Sequence, residues 1–325
     1  MSIYDQKPIE RTGLRTVPLA ERPGKVNVSH FARPYRKGEG VQALVDSLPR
    51  ILAGNSFRGI VQAILRAQEK GKLILWGLGG HVVKVGLSGV LIDLMARGFL
   101  TAFAMNGATA IHDFEIALAG ATSEDVDVAL PGGKFGMAEE TGAWMNQAIS
   151  DADRREIGLG EGLGEFLQKK SQEPAGPGQK VAYADSSILL QAYRRKVPVT
   201  VHVAIGTDTP HNHPLADGRA IGGASHRDFL LLAGLLRGLD SGGVYLNVGS
   251  AVILPEVFLK AVSLVRNLGH PLQDFTTVNM DFLQHYRPLE NVVRRPTLES
   301  GQGYSLTGHH EILLPLLAAA LIEQD

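Results

Sequence analysis

Residues 73–113 constrain the fold of this 325-residue chain more than any other segment. Within it, apolar strand patterns at 73–76 and 100–105 each lead into a turn of small residues that opens a helix pattern. Backbone N–H groups and the positive end of the helix dipole attract anions at such turns. The segment therefore predicts a nucleotide or other anion site at the small residues of the two turns, namely Gly77, Gly79, Gly80, Asn106, Gly107, Ala108 and Thr109.

These glycines alone do not identify a ligand. The order Gly-x-Gly-Gly at 77–80 differs from the dinucleotide fingerprint Gly-x-Gly-x-x-Gly, and strand-to-helix turns use glycine for steric reasons in many folds. From the residues alone, a phosphate cradle and a purely structural turn are both open.

Helix and strand patterns alternate along the chain. Such alternation predicts an α/β fold with a mostly parallel sheet and helices on both faces, in which ligands bind beyond the carboxyl ends of the strands. The strand patterns lie at 73–76, 100–105, 126–129, 199–204, 244–248 and 275–278, and the helix patterns at 57–70, 82–96, 111–118, 138–149, 186–195, 226–236, 255–268 and 311–323.

The domain organisation predicted is one α/β domain at 41–325, preceded by an extended arm at 1–40 that lacks helix or strand periodicity and could dock on a neighbouring subunit. The run Glu-Pro-Ala-Gly-Pro-Gly at 173–178 indicates a surface loop. The pattern at 82–95 is apolar around most of a helix, which demands extensive cover and favours an oligomer.

Composition excludes several classes of function. The net charge is −1 and the charges are interspersed, so neither nucleic acid nor a membrane surface is an expected partner. The absence of cysteine excludes disulfides, thiolate metal sites and a cysteine nucleophile. No apolar window approaches the length of a membrane span or signal peptide, so we expect a cytoplasmic protein acting on a small molecule.

Several motifs resemble the deoxyhypusine synthase family. They are Arg-Gly-Phe at 97–99, Met-Asn-Gly-Ala-Thr-Ala-Ile-His-Asp-Phe at 105–114, Asp-Ser-Ser-Ile-Leu at 185–189, and the Pro-Leu-Leu helix pattern at 312–321. The likeness spans roughly 50–322. It implies a Rossmann-type fold that binds NAD, assembled as a homotetramer or homodimer, with His112, Asp113 and Asp208 at the nicotinamide nucleotide.

Other interpretations of these polar residues stay open. Asp113 near the start of a helix complements the helix dipole whatever the function. The loop that holds Asp208, His211 and His213 is compatible with a metal site, but also with ordinary polar turn chemistry before Pro210.

One segment departs from the family. Residues 287–296 read Arg-Pro-Leu-Glu-Asn-Val-Val-Arg-Arg-Pro, where the family has Arg-Pro-Asp-Glu-Ala-Val-Ser-Trp-Gly-Lys and forms a covalent imine with spermidine on the last lysine. Pro296 has no amine to do so. We therefore predict a function other than deoxyhypusine synthesis, with Arg287, Arg294 and Arg295 binding an anionic or zwitterionic substrate.

The leading hypothesis is an NAD-dependent transferase or oxidoreductase. Its acid–base candidates are Glu290 together with His81, His213 or Glu256. The alternatives are a nucleotide-binding protein without catalysis and a metal-dependent hydrolase that uses Asp208, His211 and His213.

Overall fold

A computed structural model describes residues 3–173 and 181–324. Its strands are β1 Ile74–Leu78, β2 Ala102–Asn106, β3 Val199–His202, β4 Val244–Val248, β5 Thr276–Asp281 and β6 Gln302–Thr307. Its helices are α1 Gly40–Ser47, α2 Leu52–Glu69, α3 Gly80–Lys84, α4 Ser88–Ala96, α5 Gly107–Ala119, α6 Val126–Ala129, α7 Glu139–Arg154, α8 Leu159–Gln172, α9 Ile188–Arg195, α10 Gly218–Leu236, α11 Ile253–Asn267, α12 Tyr286–Pro288 and α13 His310–Ile322, with a π-helical turn at Leu289–Arg294.

The six strands form one sheet in the order β3-β2-β1-β4-β5-β6. Every neighbouring pair is parallel, with Trp76 of β1 opposite Phe103 of β2 and Leu246 of β4. The chain moves outward from β1 to one edge and then outward from β4 to the other, so the order reverses between β1 and β4. This is the doubly wound Rossmann arrangement, and the predicted α/β fold is confirmed.

Alternate residues of the central strands pack into two layers of helices. Ile74 and Trp76 belong to the larger core with α2, α4, α5, α9 and α13, whereas Leu75 and Tyr245 belong to a second core with α10 and α11. The Tyr245 ring stacks on Phe258 of α11 with centroids 3.8 Å apart. Both faces of the sheet are therefore covered, as a parallel sheet requires.

Several elements differ from the sequence predictions. The helix predicted at 82–96 is divided into α3 and α4, because the chain turns between them at Gly86, whose φ is +80°. Val126–Ala129 is a helical turn and not a strand, because the Asp125 side chain caps it by accepting a hydrogen bond from Val128 N. Strand β6 was not predicted, since it is an edge strand with Leu306 as its buried residue. Helix α8 was not predicted, because its glycines weaken the helix pattern. One of them, Gly162, allows Ala152 of α7 to approach closely: a Cβ on Gly162 would lie 2.6 Å from the Ala152 Cβ.

The N-terminal segment lies on the outside of this domain. Residues 3–29 and 31–40 are exposed, and docking of the arm on another subunit stays a prediction. Most of the predicted surface loop at 173–178 lies outside the described residues. Among the described residues, no helix is both long and apolar enough to cross a membrane.

Candidate functional site

The carboxyl end of β2 passes directly into α5, and side chains fix this junction. Asn106 caps the helix by accepting a hydrogen bond from Thr109 N at 2.9 Å. The buried Thr109 hydroxyl lies 2.7 Å from Asn106 Oδ1 and 2.8 Å from the Leu78 carbonyl oxygen. Asn106 and Thr109, both predicted to contact a nucleotide, therefore link the ends of β1 and β2, and their side-chain hydrogen bonds stabilise this junction.

Gly107, the first residue of α5, lies against Asp208. A Cβ on Gly107 would overlap both carboxylate oxygens of Asp208, so only glycine permits this approach. Asp208 follows β3 and precedes a short 3₁₀ turn at Thr209–Asn212. Its Oδ2 is buried without a hydrogen-bond partner, and burial raises the pKa of the carboxyl. A buried polar atom without a partner marks a place where a ligand can donate a hydrogen bond.

A cavity of about 250 Å³ opens beside this contact; we call it the α5 cavity. Ala108 and His112 of α5 and Asp208 line it, so three of the predicted cofactor ligands meet there. The other residues around it are Lys84, Ile111, Glu115, Ser123, Glu124, Val126, Phe135, Gly136, Ala138, Thr141, Gly142, Thr207, Thr209 and Pro210.

His112 is the end of a hydrogen-bonded chain in the α5 cavity. Its Nδ1 lies 2.7 Å from the Thr122 hydroxyl, which donates to Glu115 Oε2 at 2.5 Å. Glu115 Oε1 accepts a second hydrogen bond from the Thr141 hydroxyl at 3.2 Å. Burial, with a smaller contribution from Lys84, lowers the pKa of His112 to about 4. The imidazole is therefore neutral at physiological pH.

Asp113 points away from the α5 cavity. It is completely buried and accepts hydrogen bonds from the Ser187 hydroxyl (2.7 Å), Ile188 N (2.7 Å) and Leu189 N (2.9 Å). Burial raises its pKa to about 6, although these three donors oppose the shift. Asp113 thus caps the start of α9 and does not line the α5 cavity, whereas the resemblance implied a place at the nicotinamide nucleotide.

The first glycine turn serves mainly to bring backbones together. Gly77 lies inside β1, and a Cβ there would lie 2.7 Å from the Tyr245 hydroxyl. Gly79 packs directly on the backbone of Gly249 after β4. Only Gly80 borders the α5 cavity residues, since its Cβ position is 3.1 Å from Ala108 Cβ and 3.2 Å from His112 Cδ2. Close packing within the fold therefore explains why glycine stands at positions 77 and 79, without a phosphate ligand.

His213 lines an adjoining cavity of about 510 Å³, which shares Gly136, Ala138 and Gly142 with the α5 cavity. His213 Nδ1 accepts a hydrogen bond from Leu215 N, and His211 Nδ1 accepts one from Gly206 N. Within residues 3–173 and 181–324, no three His, Asp or Glu side chains converge on a point where a metal could sit. The geometry gives the metal-hydrolase alternative no support.

The predicted substrate arginines are paired with the predicted acids. Arg294 forms an ion pair with Glu290, and Arg295 Nε lies 3.5 Å from the same carboxylate. Arg287 Nε lies 3.2 Å from Glu256, which also pairs with Lys260. The pKa values of Glu256 and Glu290 are lowered, chiefly by hydrogen bonds from Lys260 and Arg294 respectively. None of these charged side chains lines the α5 cavity.

Pro296 is buried beside the end of α11, where its carbonyl oxygen accepts a hydrogen bond from Arg266 at 2.8 Å. Because α11 starts after the carboxyl end of β4 and runs back along the sheet, its last turn lies toward the amino ends of the strands. The backbone of Val293 packs against Gly303 near the start of β6. Arg294 pairs with Glu290 as described above, and its role in binding an anionic substrate stays a prediction.

His81 lies apart from both His213 and the charged cluster of Glu256 and Glu290, on α3, the helix that follows β1. Its ring centroid lies 5.6 Å from that of His310 and 5.8 Å from that of Phe282. His310 is completely buried and its Nε2 lies 3.1 Å from the Met280 carbonyl oxygen. The four acid–base candidates thus lie in three separate places, with Glu256 and Glu290 together in one charged cluster linked through Asn291 and Arg295.

Sequence reasoning missed three residues near His112, namely Lys84, Glu115 and Thr122. Glu115 follows His112 by one helical turn, a spacing that places both on one face of a helix and could have been noticed. Thr122 comes from the loop after α5, and no local pattern links a loop hydroxyl to a ring on the preceding helix.

Comparison with known proteins identifies the fold and no more. No protein-family model and no curated protein matches the chain. Among solved structures, a "conserved putative LOR/SDH protein" from Methanococcus maripaludis S2 has 16% identity and a TM-score of 0.50, with 84% of this chain and 71% of that one covered. A "putative deoxyhypusine synthase" from Entamoeba histolytica has 10% identity and a TM-score of 0.50, with 90% and 96% covered.

A third structure, AgrE in complex with ornithine and NAD+, has 18% identity and a TM-score of 0.48. The match covers 85% of this chain but only 34% of AgrE, so this chain spans about a third of that protein's length. Taken with the strand order, the two matches with a TM-score of 0.50 define the fold class of the protein. It is an α/β protein of Rossmann type with a deoxyhypusine-synthase-like fold.

Proposed function

We propose that the protein binds NAD or a closely related nucleotide at the α5 cavity and uses it as a transferase or oxidoreductase acting on a small anionic or zwitterionic substrate. The observation that carries this proposal is the unpartnered Oδ2 of Asp208 held against Gly107 at the start of α5. In Rossmann folds an acidic side chain near the carboxyl edge accepts hydrogen bonds from ribose hydroxyls.

The surroundings of Asp208 suit the rest of a nucleotide. Helix α5 has 13 residues, so its first turn presents a positive dipole end, and Lys84 on α3 adds a cation. The adjoining cavity at His213 extends the available space to the size range of cofactor sites. Bound NAD would supply a hydride acceptor, and this chain would supply the groups that orient the ligand and move protons.

Nucleotide binding should depend on the contact between Gly107 and Asp208. Gly107→Ala should weaken NAD binding at least ~10-fold, because a methyl group there displaces the Asp208 carboxylate. Asp208→Asn should weaken it as well, since it removes one of the two acceptor oxygens. Calorimetric titration of NAD into each purified variant measures both effects.

Gly89→Ala is the matched control. Gly89 also lies in the first turn of a helix, α4, but its Cβ position has no atom within 4 Å. Alanine is the better helix former at both sites, so a loss that appears only at Gly107 reports on Asp208. No heat with NAD up to millimolar concentration, or equal binding by all variants, would contradict the proposal.

Spermidine should not be a substrate. Incubation with spermidine and NAD, followed by borohydride reduction, should leave the intact mass unchanged and form no NADH, because Pro296 offers no amine. Peptide mapping completes the measurement: an aminobutyl group on any lysine, and on Lys84 of the α5 cavity above all, would show that the protein has kept imine chemistry.

A second candidate is a nucleotide-binding protein without catalysis. It is favoured by the ion pairs that occupy Glu256 and Glu290, two of the expected acid–base groups. Conversion of NAD to NADH by any small amine or hydroxy acid would decide for the enzyme, whereas binding without turnover over a broad substrate panel would decide for the second candidate.

A further inference from the structure

We infer that His112 is the proton acceptor of the α5 cavity and that Thr122 and Glu115 are positioning residues that hold it in a single tautomer. The inference rests on the proposed function, because it places a ligand that bears a hydroxyl group in the same cavity. It replaces His81, His213, Glu256 and Glu290 as the expected proton-transfer groups with a residue that lines the cavity.

The direction of the hydrogen bonds fixes the tautomer. A carboxylate oxygen only accepts, so the Thr122 hydroxyl donates its single proton to Glu115 Oε2, at 2.5 Å. The Thr122 oxygen is then the acceptor for the ring atom at 2.7 Å, and His112 Nδ1 carries the proton. The Thr141 hydroxyl donates to the other oxygen of Glu115 and holds that carboxylate in place. The lone pair of a neutral His112 ring is therefore on Nε2.

The lone pair lies on the ring nitrogen that is left accessible, in a residue that lines the α5 cavity. Within the described part of the chain, His112 Nε2 makes no hydrogen bond to another residue. It is not one of the polar atoms that are both buried and without a partner, so it is accessible. The adjacent ring carbon Cδ2 lies beside Gly80, on the side of the β1–α3 turn. Four other charged side chains line the cavity around the ring: Lys84 from α3, Glu115 from α5, Glu124 from the following loop and Asp208 from the loop after β3. Burial and Lys84 keep the ring neutral down to about pH 4.

A neutral ring with a free Nε2 can take a proton from a hydroxyl group of the ligand. The O–H bond of the ligand breaks, an Nε2–H bond forms, and the bonding electrons stay on the ligand oxygen. The imidazolium that results still donates from Nδ1 to the Thr122 oxygen, whose own proton is donated to Glu115. This is the logic by which an acidic residue orients a catalytic histidine through its second nitrogen, with one hydroxyl group between them.

Nitrogen NMR of the ¹⁵N-labelled protein without ligand tests the inference directly. Long-range couplings in the ring distinguish Nδ1–H from Nε2–H, and a His112→Gln variant assigns the signals. We expect the Nδ1–H form and no protonation of His112 between pH 5 and pH 8. In Thr122→Val, which keeps the side-chain shape but removes the acceptor, the tautomer ratio should move toward Nε2–H by about fivefold. Thr122→Ser should restore the original ratio.

His202 is the internal control. It is buried, its pKa is also lowered to about 4, and its Nε2 lies 3.0 Å from the Thr200 hydroxyl, outside the α5 cavity. Thr122→Val should leave its signals unchanged. An Nε2–H form of His112 in the wild type, or a tautomer ratio that does not respond to Thr122→Val, would overturn the inference. The wild-type spectrum decides the first point even if the variant fails to fold.

This test is independent of nucleotide binding. A protein that shows Nδ1–H at His112 but binds no NAD would overturn the proposed cofactor and leave His112 as a proton acceptor for another ligand with a hydroxyl group. A protein that binds NAD but holds His112 as Nε2–H would retain the proposed function and lose the role of His112.

Discussion

Asp113→Ala is expected to lower the free energy of unfolding by about 3 to 5 kcal/mol. The carboxylate satisfies three donors at once, the Ser187 hydroxyl and the backbone N–H groups of Ile188 and Leu189. Alanine leaves all three donors buried, and each such group costs about 1 to 3 kcal/mol. The first turn of α9 also loses its cap on the side that packs against α5.

Denaturant unfolding of the purified variants measures this effect. Asp185→Ala is the matched control, since Asp185 also lies close to the start of α9, in the segment that precedes it, but its side chain is 98% exposed. We expect the control to change stability by less than about 0.5 kcal/mol. A loss below 1 kcal/mol for Asp113→Ala would mean that the three donors find other partners and that Asp113 is not the link between α5 and α9.

The stability of this link bears on the site, because α5 carries Gly107, Ala108 and His112. Asp113 follows His112 directly, so the buried cap and the cavity histidine leave the same turn of the helix in different directions. If Asp113 has only this structural role, the folded fraction of Asp113→Ala should bind NAD with unchanged affinity. Weaker binding per folded molecule would instead indicate that the cap also orients His112.

Much of the architecture could be predicted from local pattern alone. The run Val244–Val248 is uniformly apolar or buried and forms β4 with the predicted bounds. The small residues after β2 do open a helix, and Asn106 is the cap expected of its residue type. These predictions succeed because strand burial and helix capping depend on neighbours within a few residues.

The glycines show where local pattern fails. The sequence places Gly77 and Gly107 in turns suited to phosphate, yet in the fold Gly77 lies inside β1 and makes room for Tyr245, and Gly107 opens α5 and makes room for Asp208. The two partners are 168 and 101 residues away in sequence, by difference of residue number. Because any close partner requires glycine, the residue type cannot say whether that partner is a ligand, a ring or a carboxylate.

The charged segment fails for a related reason. The family has tryptophan where this chain has Arg294, and sequence comparison shows no acidic partner for the new charge. An arginine without a partner suggests an anionic ligand. In the fold it lies one helical turn from Glu290 and pairs with it. A spacing of four residues could have suggested this pair, whereas the approach of Glu256 to Arg287 depends on how α11 packs and could not be predicted.

Asp228 is the clearest case of a charged group whose role only the fold reveals. It belongs to α10, is completely buried, and accepts hydrogen bonds from Gly160 N at 2.9 Å and Val201 N at 2.8 Å through Oδ2. Its Oδ1 has no partner and lies against Gly158, where a Cβ would overlap it. Asp228 therefore joins the start of α8 to the edge strand β3. Burial raises its pKa to about 7.

This raised pKa predicts how stability depends on pH. Between the ordinary value of 3.8 and about 7, the folded chain keeps a proton on Asp228 that the unfolded chain has released. Stability contributed by the protonated form is therefore complete below about pH 4 and is lost as the pH rises through 7. At about 1.4 kcal/mol per pKa unit, the loss amounts to roughly 4 kcal/mol.

Other titratable groups also change how the stability of the wild type depends on pH, some lowering and some raising it as the pH rises. The pKa of Asp113, raised to about 6, adds a loss of stability as the pH rises. The pKa values of His112 and His202, lowered to about 4, act oppositely, because the unfolded chain binds protons below 6.5 that the folded chain refuses. The wild-type curve alone therefore conceals the contribution of Asp228, and a comparison with a variant is needed.

Asp228→Asn isolates it, because the amide oxygen can accept the same two hydrogen bonds but the side chain cannot ionise. Relative to wild type, the variant should gain roughly 3 kcal/mol of unfolding free energy between pH 4.5 and pH 8, which is most of the full loss, since the contributions of Asp113 and the histidines cancel in the difference. Denaturant unfolding at several pH values measures the gain, and Asp185→Asn controls for the same change at an exposed site. A difference between variant and wild type that stays constant with pH would mean that Asp228 is ionised in the folded protein across this range, held by the donors at Gly160 and Val201 in spite of its burial.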